Sequence, residues 1–147
     1  MKKLSLFLVA ILSIFFLASC NFNEPLRNNM LDYYNKDNVY SELTGEIKSI
    51  KYKEGIDELF IEIELAEIKN DFSVNAVTGY GEFTIVNWSK YNFVLEANDT
   101  IIFTSAPMYF YNGHILPIVA LSKNEEIYIS FNEGVSTYIN WIQETFD

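Results

Sequence analysis

Leu59-Phe60-Ile61-Glu62-Ile63-Glu64-Leu65 carries the clearest strand pattern in the chain. Leu59, Ile61, Ile63 and Leu65 share one parity, and Phe60, Glu62 and Glu64 take the other. A period of two over this length marks a strand with one face in a core and one toward solvent. Ile68 falls on the wrong parity, so the pattern slips there.

Working back, Lys53 to Asp57 with Gly55 reads as a turn, and a second strand precedes it from Val39. Leu43, Gly45 and Ile47 share one parity, whereas Ile50 and Tyr52 take the other. A strand that changes its apolar face midway is bulged or sharply bent. Working forward, Lys69 to Gly81 is a long loop, and Phe83, Ile85 and Val86 indicate a third strand. Trp88, Tyr91 and Leu95 suggest a short helical or irregular connection to a fourth strand, Thr100 to Ser105. Pro107 should end regular pairing there or place it at an edge. Asn112-Gly113 predicts a hairpin between Tyr109-Phe110-Tyr111 and a fifth strand, His114 to Leu121, because both turn residues tolerate positive φ. Glu126 to Phe131 forms a sixth run.

Longer runs of helical spacing appear at the two ends of the domain. Leu26, Met30, Leu31 and Tyr34 predict an amphipathic helix from Pro25 to about Lys36, with proline at the first helical position. Val135, Tyr138, Ile139, Ile142 and Phe146 predict a second, with Trp141 beside them. The whole is a mainly β fold: a small antiparallel barrel of five to six strands with N- and C-terminal amphipathic helices. The order of a bent first strand, a long second, a third, an irregular connection and a strand 4–5 hairpin resembles an OB-fold over Val39 to Leu121. The resemblance is one of pattern and carries over no functional residues.

The front end has another character. Lys2 and Lys3 precede an apolar run, Leu4 to Phe16, broken only by Ser5 and Ser13, and small residues follow. This is the layout of a secretory signal peptide. Leu17-Ala18-Ser19-Cys20 resembles the lipobox of bacterial lipoproteins. The resemblance implies a diacylglycerol on the Cys20 thiol and cleavage before Cys20. Two acyl chains anchor a protein stably at about 0.8 kcal/mol per buried CH₂. The expected organisation is therefore a signal peptide at 1–19, a lipid-anchored tether at 20–24 and a single domain at 25–147, outside the cytoplasm.

Removing residues 1–19 leaves 128 residues, enough for one core and too few for two domains. Loss of Lys2 and Lys3 takes the formal net charge from −10 to −12. Such a chain repels phosphate backbones and the anionic face of a membrane, so neither nucleic acid nor lipid headgroups are expected partners, despite the OB-like pattern. Cys20 is the one cysteine, and once lipidated it forms no disulfide, leaving packing alone to hold the domain.

Chemistry-bearing groups are sparse. Glu62 and Glu64 share a strand face, where paired carboxylates could serve as general acid and base. Alternation with apolar residues favours a solvated face, with Glu46 and Lys48 opposite. His114 is the one histidine and follows a turn, without the spacing of a triad, zinc site or EF-hand. No cofactor and no metal ligand set is expected. Tyr109 and Tyr111 face one way in a strand and Phe110 the other, so the two tyrosines and His114 form the candidate ligand-binding group. The sequence thus predicts a lipid-anchored envelope module that binds a protein, peptide or glycan, with acidic charge favouring a cationic partner. The alternative is an envelope hydrolase using Glu62, Glu64 or His114.

Overall fold

The computed structural model describes residues 23–69, 71–72, 74–107 and 115–147. Its first hairpin joins β1 (Ser41–Tyr52) to β2 (Glu58–Leu65). Ile47 pairs with Ile63 and Ser49 with Glu62, so Lys48 is an extra residue in β1. The change of apolar parity is thus a β-bulge, which lets Ile47 and Ile50 both face inward on a strongly bent strand. The bend allows β1 to serve two partners. Its last two thirds pair with β2, and its first half pairs with β4 (Thr100–Ser105). Gly45 belongs to both ladders, where an added Cβ would crowd Ile63 and the Glu64 carbonyl. β2 ends at Leu65, so the parity slip at Ile68 lies beyond the strand.

β3 (Tyr80–Val86) pairs with β2, and β5 (Ile115–Lys123) with β4. The ring closes where Glu82–Thr84 of β3 meets Ile115–Pro117 of β5. The result is a five-stranded barrel in the order β1-β2-β3-β5-β4, compatible with an OB-like arrangement. That last seam is parallel, which corrects the expectation of a purely antiparallel barrel. The reason is parity. Strand directions cannot alternate all the way round a ring of five, so one neighbouring pair must run the same way. β6 (Glu126–Ile129) lies outside the ring, paired with the end of β5.

Leu59, Ile61 and Ile63 from β2 meet Phe83, Ile101, Phe103, Leu116 and Leu121 in the barrel core, all close to fully buried. The Phe83 and Phe103 rings pack edge to face at 4.9 Å between centroids. Each such side chain contributes about 1.5–3 kcal/mol by leaving water. One mouth is closed by the β3–β4 connection rather than by a long helix. Trp88, Tyr91 and Phe93 pack on the core there, with Phe93 stacked on Tyr128 at 4.7 Å. The Ser89 amide and hydroxyl donate to the Asp57 carboxylate at 2.8 and 2.6 Å, tying this plug to the β1–β2 turn.

The helices are placed differently from the sequence reading. α1 spans Asn23–Tyr34 and α2 spans Phe131–Thr145. Pro25 is the third residue of α1, still within the first turn, where amides have no helical acceptor. Phe131, expected to end the sixth strand, opens α2 instead. Both helices lie on one side of the barrel. They pack on each other and on one flank, where Met30, Tyr34, Tyr138, Ile142 and Phe146 bury Val86, Ala106 and Val119 in a second core. Gly134 makes this possible: a Cβ there would overlap the Val119 carbonyl, so α2 lies directly on the backbone of β5.

Candidate functional site

The helices cover only part of the barrel's outer surface. What they leave open includes the outward face of β1 and the adjoining parts of β2 and β3 around Glu62, Glu64, Tyr80 and Glu82, and its residues follow from the register. Inward positions pair with inward positions, so Glu46 stands opposite Glu64, and Glu64 opposite Tyr80. One step along, Ser49 stands opposite Glu62 and Glu62 opposite Glu82. Thr100 of β4 extends the first row on the far side of Glu46. Glu42 lies further along the same face of β1, opposite Thr104. Five glutamates thus crowd one surface.

Two of these registers set like charges directly opposite each other, which is unfavourable in a sheet. The structure answers the two differently. The bulge at Lys48 turns that side chain onto the outer face, where its ammonium sits 2.8 Å from Glu46 Oε1 and 2.6 Å from Glu64 Oε2. Hydrogen bonds from the ammonium to Glu46 and to Glu64 hold the lysine pKa above its usual range. The Tyr80 ring lies beside the ammonium at 6.0 Å. Between Glu62 and Glu82 there is no such bridge: among the described residues, no lysine or arginine comes within ion-pair distance of either. A shallow open groove of about 350 Å³ borders the bridged pair, lined by Glu46, Glu64, Ala66 and Thr100 among others.

Glu58 is a further acid that sequence reasoning missed. It begins β2 and lies half-buried under α2, accepting from Thr84 Oγ1 at 3.4 Å and from the Trp141 indole. Burial raises its pKa above the ordinary 4.5, and these hydrogen bonds only partly offset that. Elsewhere Lys123 lies 2.7 Å from Asp99, and their hydrogen bond lowers the aspartate pKa.

The residues singled out from the sequence divide into two groups. Glu62 and Glu64 do share a strand face, and Glu46 and Lys48 do face them. Each glutamate's cross-strand carboxylate neighbour is nevertheless on another strand, Glu82 for Glu62 and Glu46 for Glu64. Cys20, Tyr109, Tyr111, His114 and the Asn112-Gly113 turn lie outside the described residues. Among the described residues, no cluster of histidine, cysteine, aspartate and glutamate could hold a metal ion. No described helix is long and apolar enough to cross a membrane. Glu82 and Tyr80 were missed because placing them requires the β2–β3 register, and a long loop hides it. No protein-family model, no curated protein and no solved structure matches the chain.

Proposed function

We propose that this chain is a lipid-anchored binding module, held outside the cytoplasm through Cys20, that captures a cationic segment of a peptide or protein on the outer face of β1–β2–β3. One observation supports the reading: half-buried Glu62 directly opposes exposed Glu82, and no cation bridges them among the described residues. A sheet forfeits stability by keeping like charges in register, and such local violations concentrate where a protein has another use for the residues. The neighbouring pair indicates the chemistry that suits these positions. Two cross-strand carboxylates and a tyrosine ring surround an ammonium group, here supplied by Lys48. A partner's lysine or arginine beside Glu62 and Glu82 would find the same setting. The formal charge of −12 on the mature chain would speed encounter with such a partner.

Calorimetric titration with a lysine- and arginine-rich decapeptide tests this. Binding should weaken steeply with salt, and should fall about tenfold in the Glu62→Gln/Glu82→Gln double variant, as loss of charge-assisted contacts worth about 1.4 kcal/mol implies. Equal affinity in wild type and double variant would remove the proposed surface.

A further inference from the structure

We propose that the tip of the β1–β2 hairpin, residues 51–57, is a lipid-contacting surface seated in the headgroup layer of the membrane that holds Cys20. The proposal rests on the lipid-anchor reading above. Only Asn21 and Phe22 separate Cys20 from the first residue of α1. A fully extended chain spans at most about 3.6 Å per residue, so Asn23 lies within roughly 11 Å of the anchored cysteine. The start of α1 is therefore held at the membrane surface.

Contacts then lead from α1 to the hairpin. Arg27 of α1 is paired with Asp147 at the chain's end at 2.8 Å, so the start of α1 meets the end of α2. In that last part of α2, the Trp141 indole donates to the Glu58 carboxylate. Glu58 directly follows the β1–β2 turn. The anchor and the hairpin tip thus lie on the same side of the domain.

The tip has the composition of a membrane interface. Tyr52 stands on the inward parity of β1, opposite Leu59, yet it is 67% exposed because the barrel ends there. Ile56, in the turn, is 47% exposed. Lys51 and Lys53 flank Tyr52, and the Lys53 ammonium lies 4.2 Å from the centre of the Phe60 ring. Tyrosine beside lysine suits the headgroup region, where the ring lies at the boundary and the ammonium reaches phosphate. Charge points the same way. Lys51 and Lys53 balance Glu54 and Asp57 at the tip, whereas Glu42, Glu46, Glu62, Glu64 and Glu82 lie toward the other end of the sheet. With the tip toward the membrane, these five glutamates lie farther from anionic lipid.

Lipidation of Cys20 leaves no other thiol, so one introduced cysteine gives one label. Ile56→Cys and Val77→Cys serve as the pair, since Val77 is 92% exposed in the loop at the far end of β2. The full lipoprotein, with its lipid confirmed by mass, is reconstituted into phosphatidylcholine–phosphatidylglycerol vesicles. It is then labelled with an environment-sensitive fluorophore and quenched with lipids bearing a headgroup nitroxide. Quenching several-fold stronger at position 56 than at 77, and weakened by adding Tyr52→Ser, is the expected result. Equal quenching, or stronger quenching at 77, overturns the proposal. An unmodified Cys20 mass overturns both this proposal and the anchor beneath it, whereas a lipidated protein with unquenched position 56 overturns this one alone.

Discussion

At Lys48, one extra residue in β1 has two consequences. It bends the strand so that apolar residues of both parities face the core, and it sends an ammonium between Glu46 and Glu64. Lys48→Gln keeps the backbone and removes the charge, so the two carboxylates then face each other unscreened. The melting temperature should fall, and the loss should shrink in high salt, with a Debye length of about 3 Å at 1 M. Thermal melts at low and high salt check this, and a salt-independent loss would instead assign the effect to packing of the lysine stem. Glu58 gives the opposite sign. Its folded pKa is raised above 4.5, so the stability it contributes is present below that pH and is lost as pH rises. Glu58→Gln is neutral throughout and can still accept from Trp141 and Thr84. It should melt higher than wild type at pH 7 and converge with it near pH 4. The bulge was legible in the sequence, because apolar parity changes between Ile47 and Ile50. The lysine's bridge was not, since it depends on which residues β2 sets opposite.

At the scale of elements, α2 comes closest to β5 at Gly134, with Tyr138 and Ile142 packed beside that contact in the second core. Gly134→Ala would be harmless in an isolated helix, where alanine is the better residue by about 1 kcal/mol. Here the methyl meets the Val119 carbonyl, so helix and strand must separate, and we expect a loss near the upper end of the roughly 1–3 kcal/mol typical of overpacking. Gly55→Ala is the control. Its φ of 78° strains any side chain, yet nothing lies within 4 Å of the added Cβ, so about 1 kcal/mol is expected. Chemical denaturation of both variants separates contact from backbone strain. Both helices could be predicted from apolar spacing, but their docking could not. Helical periodicity shows that a face is buried without showing against what, and Gly134 interrupts no pattern.

For the whole molecule, five or six short strands, a bent first strand and few helices were enough to indicate a small barrel, while its parallel seam followed from ring closure and not from any local signal. The same closure divides the outer surface. Helices cover the flank at Val86 and Val119, and glutamates occupy the open face of β1–β2–β3. Glu62 and Glu64 were visible as a pair from alternation alone, but the opposition of Glu62 to Glu82 was not. Amide chemical shifts of the domain, followed during titration with the cationic decapeptide, locate the binding surface. Capture on the glutamate face predicts saturable shifts at Glu46, Glu62, Glu64, Tyr80 and Glu82, with Ile102 and Ile127 on β4 and β6 unmoved. Shifts gathered on β4–β6 or on the helices, or none at saturating peptide, would contradict it.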